Sequence, residues 1–229
     1  MMLWLVLLGL LGLLILGPQL WVRWVLNRYN QRPEPNFPGS GGELARHLLG
    51  HFQLDQVAVE VTDRGDHYDP ASKAVRLSAD NLSGRTLTAI ATAAHEVGQA
   101  LQDAAGYTPF RLRQRLVTLA LLAQQLGSFM LFIAPLLAVL SRAPLVGLLT
   151  ALGALLVMTA NLAVHLLTLP VELNASFQRA LPMLLQGNYI TPQQEPAVRS
   201  ILRACALSYV AAAAANLLNF WYWMRLLRR

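Results

Sequence analysis

The sequence predicts a mainly α-helical membrane protein with a small α+β insert. Its 229 residues are 55% hydrophobic and only 13% charged, whereas soluble domains carry about 25% charged residues. Long apolar stretches, each close to the length that crosses ~30 Å of hydrocarbon, predict three to four transmembrane helices. Shorter segments with alternating apolar residues lie between the first two stretches and predict a small sheet.

The first apolar stretch covers residues 3–25. No basic residue precedes it and no small-residue cleavage pattern follows it, so we interpret it as an uncleaved anchor rather than a signal peptide. Trp21, Arg23 and Trp24 near its end are typical of a membrane interface. Residues 1–25 are therefore predicted to form an N-terminal transmembrane helix.

Residues 26–112 are predicted to form the α+β insert. A connector rich in proline and glycine over residues 31–42 leads to a short helix over residues 43–49. Alternating valines over residues 57–61 predict one half-buried strand, and residues 74–78 predict another.

A longer helix is predicted over residues 84–105, with Ser83 as a candidate N-cap. His95 and Gln99 lie four residues apart and therefore share one face of this helix, with Glu96 beside them. In the motif H-E-x-x-H, two histidines bind zinc and the glutamate polarises the zinc-bound water. This chain has H-E-x-x-Q, so the motif alone is a weak indication of a metal site.

Two further apolar stretches follow, over residues 116–140 and 145–169. The turn between them predicts a transmembrane helical hairpin over residues 113–169. Residues 170–229 are predicted to contain C-terminal helices and a weaker last span over residues 204–224.

The formal charge of +6 and the pI near 10.1 raise the question of nucleic-acid binding. The basic residues, however, cluster at the ends of the apolar stretches, which is the distribution of membrane anchoring and topology signals. We therefore predict a multi-pass membrane protein with no nucleic-acid partner. Arginines next to the first and second apolar stretches predict that residues 26–112 lie on the cytosolic side.

Polar residues in and after the third apolar stretch form a second candidate cluster. Asn161, His165, Thr168 and Glu172 recur at the spacing of one helical stripe. Ionisable residues at membrane depth are functional hypotheses by default, and polar stripes also hydrogen-bond neighbouring helices in membrane proteins. A transporter is one interpretation of this stripe.

Six sequence blocks carry a family resemblance and occur along nearly the whole chain. They are Asp66-His67-Tyr68-Asp69-Pro70, Val75-Arg76-Leu77-Ser78, Ala93-Ala94-His95-Glu96-Val97-Gly98, Thr168-Leu169-Pro170-Val171-Glu172-Leu173-Asn174-Ala175-Ser176, Arg179-Ala180, and Leu202-Arg203-Ala204-Cys205-Ala206-Leu207-Ser208-Tyr209-Val210-Ala211. With these blocks in this order, the chain resembles the bacterial neutral zinc metallopeptidases of the YugP-like membrane family. The resemblance implies a membrane-embedded zincin-like fold and a Zn²⁺ cofactor. It also implies His95 and Glu172 as metal ligands and Glu96 as the general base.

The family has histidine where this chain has Gln99. An amide oxygen is not among the usual ligands of zinc, so three interpretations stay open. Gln99 binds the metal weakly or through water, or another histidine (His165 or His67) completes the site, or the chain is a pseudoprotease. His67 and Tyr68 are also candidates for a place near the oxyanion of a substrate, or else ordinary sheet and turn residues.

The predicted function is hydrolysis of peptide bonds in peptide or membrane-protein substrates. The predicted location is the bacterial inner membrane, with the site on the cytosolic side and the lipid bilayer as a partner. The alternative is a catalytically impaired pseudoprotease that acts as a membrane binding or scaffold protein, because Gln99 replaces a ligand histidine.

Overall fold

The computed structural model of the protein describes residues 2–34, 37–141, 164, 167–209 and 211. By their contacts the residues separate into two compact units. The first comprises Met1–Tyr107 and Val171–Arg229, and the second comprises Thr108–Pro170. The sheet and the H-E-x-x-Q helix both belong to the first unit.

The described part of the chain is mainly helical with one small sheet. The elements up to the second unit are α1 (Met2–Asn30), α2 (Gly41–His51), β1 (Ala58–Val61), β2 (His67–Asp69), β3 (Ala74–Leu77), α3 (Ala79–Ser83) and α4 (Leu87–Ala104). The second unit contains α5 (Thr108–Ser141). The first unit resumes with helical residues 171–173, a π-helix (Asn174–Ala180), α6 (Leu181–Gln186) and α7 (residues 195–209).

The structure corrects the prediction of three to four transmembrane helices. Among the residues it describes, no helix combines sufficient length with the apolarity that a bilayer crossing requires. The C-terminal part of α1 illustrates the physical reason. Val22 and Val25 are buried there, and the Leu26 carbonyl accepts a hydrogen bond from the Thr88 hydroxyl of α4. These two valines therefore pack against other parts of the protein.

The second predicted span, over residues 116–140, lies in α5, which is among the described helices that do not qualify for a bilayer crossing. Arg111, Arg113 and Arg115 lie in the N-terminal turns of α5, before that apolar stretch. The other two predicted spans, over residues 145–169 and 204–224, lie largely outside the described residues.

The three-stranded sheet has the strand order β1–β3–β2. β1 runs parallel to β3, and β2 runs antiparallel to β3 with Tyr68 opposite Val75. β3 is buried, whereas β1 is mostly exposed. The sequence predicts β1 and β3 from alternation, which needs about 4–8 residues to be recognised. β2 has three residues and is too short to show such a pattern.

α4 begins three residues later than the sequence predicts, at Leu87, and its N-cap is Thr86 rather than Ser83. The Thr86 hydroxyl accepts a hydrogen bond from the Ala89 backbone N–H, which satisfies one of the unpaired donors of a helix N-terminus. Ser83 instead ends α3. α4 is buried along most of its length, so its polar residues must find partners inside the protein.

Gly98 allows α4 to approach the π-helix closely. A Cβ atom at this position would lie 2.8 Å from the Ala175 carbonyl oxygen, so any other residue would force the two helices apart. The π-helix is an uncommon element that occurs frequently at functional sites. Here it begins two residues after Glu172 and packs against α4.

Candidate metal centre

Three side chains meet in the buried space between α4 and the segment that leads into the π-helix. His95 Nε2 lies 3.0 Å from Glu172 Oε2. Gln99 Nε2 lies 3.2 Å from His95 Nε2 and 3.0 Å from Glu172 Oε2. His95 is 2% exposed, Gln99 3% and Glu172 0%. We call these three residues the buried corner.

The three atoms of the buried corner form a nearly equilateral triangle. Ligand atoms ~2.0–2.1 Å from a tetrahedral zinc ion are about 3.3 Å apart, so the triangle has close to the dimensions of three zinc ligands. The two hydrogens of a planar amide diverge by about 120°, and Gln99 therefore cannot aim straight hydrogen bonds at both neighbours.

Two of the three side chains, His95 and Glu172, carry atoms that bind zinc well, whereas Gln99 does not. An imidazole nitrogen and a carboxylate oxygen are usual zinc ligands, whereas an amide oxygen is a poor one. Rotation of the Gln99 side-chain amide by about 180° exchanges its nitrogen and oxygen, and Oε1 then faces His95 and Glu172. Within the described residues, no group of three or more His, Cys, Asp or Glu side chains is arranged to hold a metal ion.

Glu96 follows His95 on α4 and is almost fully buried. Its Oε2 has no hydrogen-bond partner within the part of the chain that the structure describes, while the Tyr68 backbone donates to the same carboxyl group. Burial raises the pKa of Glu96 to about 8, with Glu172 raising it and His95 lowering it. A cation at the buried corner would lower this pKa, because a nearby opposite charge favours the ionised carboxylate.

A cleft of about 550 Å³ opens beside His95 and Glu96. Its walls include Thr92 of α4, the loop residue Asp66 and the β2 residue His67. This volume lies within the ~300–1,000 Å³ range of ligand pockets. The cleft is therefore large enough for part of a substrate, and both His95 and Glu96 contribute to its lining.

The remaining predicted site residues lie in different places. His67 lines the cleft, with its Nδ1 2.8 Å from the Gly65 carbonyl oxygen. Tyr68 is buried in β2, and its hydroxyl donates to Asp103 Oδ2 at 2.8 Å, near the C-terminal end of α4. His165 lies outside the described residues.

Sequence reasoning missed Ser176, a buried residue of the π-helix. Its Oγ lies 2.9 Å from His95 Nδ1, on the opposite edge of the ring from the buried corner. The available signal was its position four residues after Glu172, which places both residues on one face of a helix.

Comparison with known proteins identifies the family. A family described as "Putative neutral zinc metallopeptidase" matches residues 3–228. The chain belongs to this family. It is 38% identical to "Putative membrane protease YugP" of Bacillus subtilis (strain 168) over 182 residues, which are 78% of this chain and 76% of that protein. The resemblance inferred from the sequence blocks is thereby confirmed, and no solved structure gives a significant match.

Proposed function

We propose that this member of the zinc metallopeptidase family hydrolyses peptide bonds with a zinc ion held at the buried corner. The observation that carries the proposal is the triangle of His95, Gln99 and Glu172, which has the spacing of tetrahedral ligands. The description of the family, which names a zinc metallopeptidase, supports the same conclusion.

His95 and Glu172 would hold the ion most strongly, and Gln99 would join them through its amide oxygen. Zinc, when bound there, supplies Lewis acidity, which makes water acidic near pH ~7 and polarises a peptide carbonyl. The buried position of the three ligands excludes bulk water from the corner, and electrostatic interactions are stronger in such a low-dielectric site.

Glu96 is the proposed general base. Glu96 lines the cleft, and its Oε2 lacks a hydrogen-bond partner among the described residues, so this carboxylate can take a proton from water and return it to the leaving amine. The backbone hydrogen bond from Tyr68 orients the carboxyl group during this proton transfer.

The proposed substrate is a peptide or a membrane-protein segment that enters the cleft next to His95. The volume of the cleft, about 550 Å³, is sufficient for one or two side chains of such a chain and supports this proposal. We also propose that the protein associates with the bacterial cytoplasmic membrane. The support for this location is the name of the Bacillus subtilis relative, a "Putative membrane protease".

A second candidate function is that of a metal-free pseudoprotease, and Gln99 favours it. The Gln99 amide nitrogen lies 3.0 Å from Glu172 Oε2, a distance at which it donates a hydrogen bond. In this state the amide occupies the place of a ligand without holding an ion. The chain would then bind peptides in the cleft without cleaving them.

A proteolysis assay on the purified full chain with added zinc tests the proposal. We expect wild-type protein to cleave unfolded casein or a fluorescence-quenched peptide mixture. Glu96→Gln keeps the size of the side chain but removes the proton acceptor, and should reduce cleavage by about 10²–10⁴-fold. Peptide binding without cleavage, equal in wild type and Glu96→Gln, would instead support the pseudoprotease.

A further inference from the structure

The Ser176 hydroxyl has two partners that together fix the direction of its hydrogen bonds. Ser176 is 0% exposed, and its Oγ lies 2.9 Å from His95 Nδ1 and 2.9 Å from the Leu202 carbonyl oxygen. A hydroxyl has one proton, and a carbonyl oxygen can only accept. Because Ser176 donates to Leu202, it must accept a hydrogen bond from His95 Nδ1–H.

We infer that Ser176 is a positioning residue that keeps a proton on His95 Nδ1 and so presents the Nε2 lone pair to the buried corner. A neutral imidazole carries a single N–H, so a proton held at Nδ1 leaves Nε2 able to bind a cation. Histidine ligands of metals commonly have the second ring nitrogen fixed by such a hydrogen bond. The consequence for metal binding rests on the proposed function, whereas the proton position does not.

The hydroxyl is well placed for this role because three elements hold it. Ser176 belongs to the π-helix, His95 to α4 and Leu202 to α7, and all three residues are buried. The Leu202 carbonyl gives the hydroxyl proton a fixed acceptor. The lone pairs of Ser176 Oγ therefore stay directed at the imidazole.

Removal of the hydroxyl should move the proton to the other ring nitrogen. Without the Ser176 hydroxyl, a buried N–H at Nδ1 would have lost this acceptor, and an unsatisfied buried donor costs free energy. Glu172 Oε2 lies 3.0 Å from Nε2, and a carboxylate is a strong acceptor for a proton placed there. With Nε2 protonated, His95 can no longer offer its lone pair to a metal ion at the buried corner.

Nitrogen NMR of the full chain with ¹⁵N-labelled histidine measures which ring nitrogen of His95 carries the proton. We expect a proton on Nδ1 in metal-free wild type and none there in Ser176→Ala, in which Nε2 beside Glu172 carries the proton. Thr88→Val is the matched control, because Thr88 also donates from a buried hydroxyl to a backbone carbonyl, that of Leu26. This variant should keep the wild-type proton position.

Two NMR results would overturn the inference: an unprotonated Nδ1 in wild type, or a protonated Nδ1 that persists in Ser176→Ala. The wild-type spectrum is decisive even if Ser176→Ala does not fold.

Zinc titration separates this inference from the proposed function. If wild type binds zinc, Ser176→Ala should bind it about 10–100-fold more weakly, and Ser176→Thr, which keeps the hydroxyl, should restore the affinity. Equal zinc affinities of wild type and Ser176→Ala would overturn the inference. A wild-type chain that binds no zinc but keeps the Nδ1 proton would contradict the proposed function and support the role of Ser176.

Discussion

The first unit contains two carboxylates with very different surroundings. Asp69 lies in β2, and Glu172 lies in the segment before the π-helix, against α4. The Asp69 side chain is 25% exposed and lies 2.6 Å from Arg76 Nη1. Glu172 is 0% exposed and lies 3.0 Å from both His95 Nε2 and Gln99 Nε2. One carboxylate therefore has a permanent counter-ion at the surface, and the other faces an imidazole and a neutral amide in the interior.

The difference distinguishes a structural ion pair from a candidate binding site. A guanidinium is always protonated, and exposed pairs of this kind contribute less than about 1 kcal/mol to stability. Burial of a carboxylate costs several kcal/mol unless a positive charge compensates it. A cation bound at the buried corner would supply such a charge next to Glu172, whereas Asp69 already has one in Arg76.

The largest expected effect comes from Gln99→His, which replaces the weakest donor of the buried corner by an imidazole. We expect zinc affinity to rise on the order of 100-fold or more, because a residue that merely orients a ligand is already worth about 10–100-fold. Competition with a chromophoric zinc chelator measures the change. Gln186→His, which adds a histidine at an exposed position at the end of α6, should leave the affinity unchanged. Equal affinities of the two variants would contradict the assignment of the corner.

Gly98→Ala should disturb the buried corner through the backbone. The new Cβ would lie 2.8 Å from the Ala175 carbonyl oxygen, so the π-helix must shift, and overpacking of this kind costs about 1–3 kcal/mol. Chemical denaturation should show that loss in the free energy of unfolding, together with weaker zinc binding. Gly50→Ala is the control, because its Cβ would meet Asp55 only at an ordinary 3.5 Å. A Gly98→Ala protein as stable as Gly50→Ala would break the proposed link between close helix packing and the site.

The smallest effect is expected at the surface carboxylate. The Ser72 hydroxyl, the Ala71 backbone N–H and Arg76 lower the pKa of Asp69 to about 2. A lowered pKa gives stability that is present above the ordinary value near pH ~4 and is lost as the pH falls toward 2. Asp69→Asn should therefore cost less than about 1 kcal/mol at neutral pH and leave zinc binding unchanged.

Unfolding curves of wild type and Asp69→Asn across the acidic range test this assignment. The difference in the free energy of unfolding between the two proteins should disappear as the pH falls through the region in which Asp69 takes up its proton. If this difference in the free energy of unfolding stays constant down to the lowest pH, the carboxylate contributes no such stability.

Local sequence patterns predicted the H-E-x-x-Q helix and the two longer strands, because spacing and alternation depend on neighbouring residues. The family blocks also brought Glu172 into consideration, although 77 residues separate it from His95. The contact itself depends on Gly98 and the π-helix, and no sequence pattern indicates that a helix will widen at Asn174–Ala180.

The transmembrane prediction was wrong for the described residues because apolar composition does not reveal what an apolar side chain contacts. Val22 and Val25 are buried within the protein, yet they read like lipid-facing residues in the sequence. Ser176 escaped notice for a related reason. A single serine in a helix carries no sequence signal, and only the three-dimensional structure shows its contact with the ring of His95.

The most direct test of the central claim, that the buried corner binds a cation, is the zinc content of the wild-type chain purified without an affinity tag or chelator. We predict about one zinc ion per chain by elemental mass spectrometry, and its loss in Glu172→Gln, which removes the charged ligand while keeping the side-chain size. Wild-type protein that remains free of zinc even after incubation with excess metal, while Gln99→His takes up the ion, would contradict the claim.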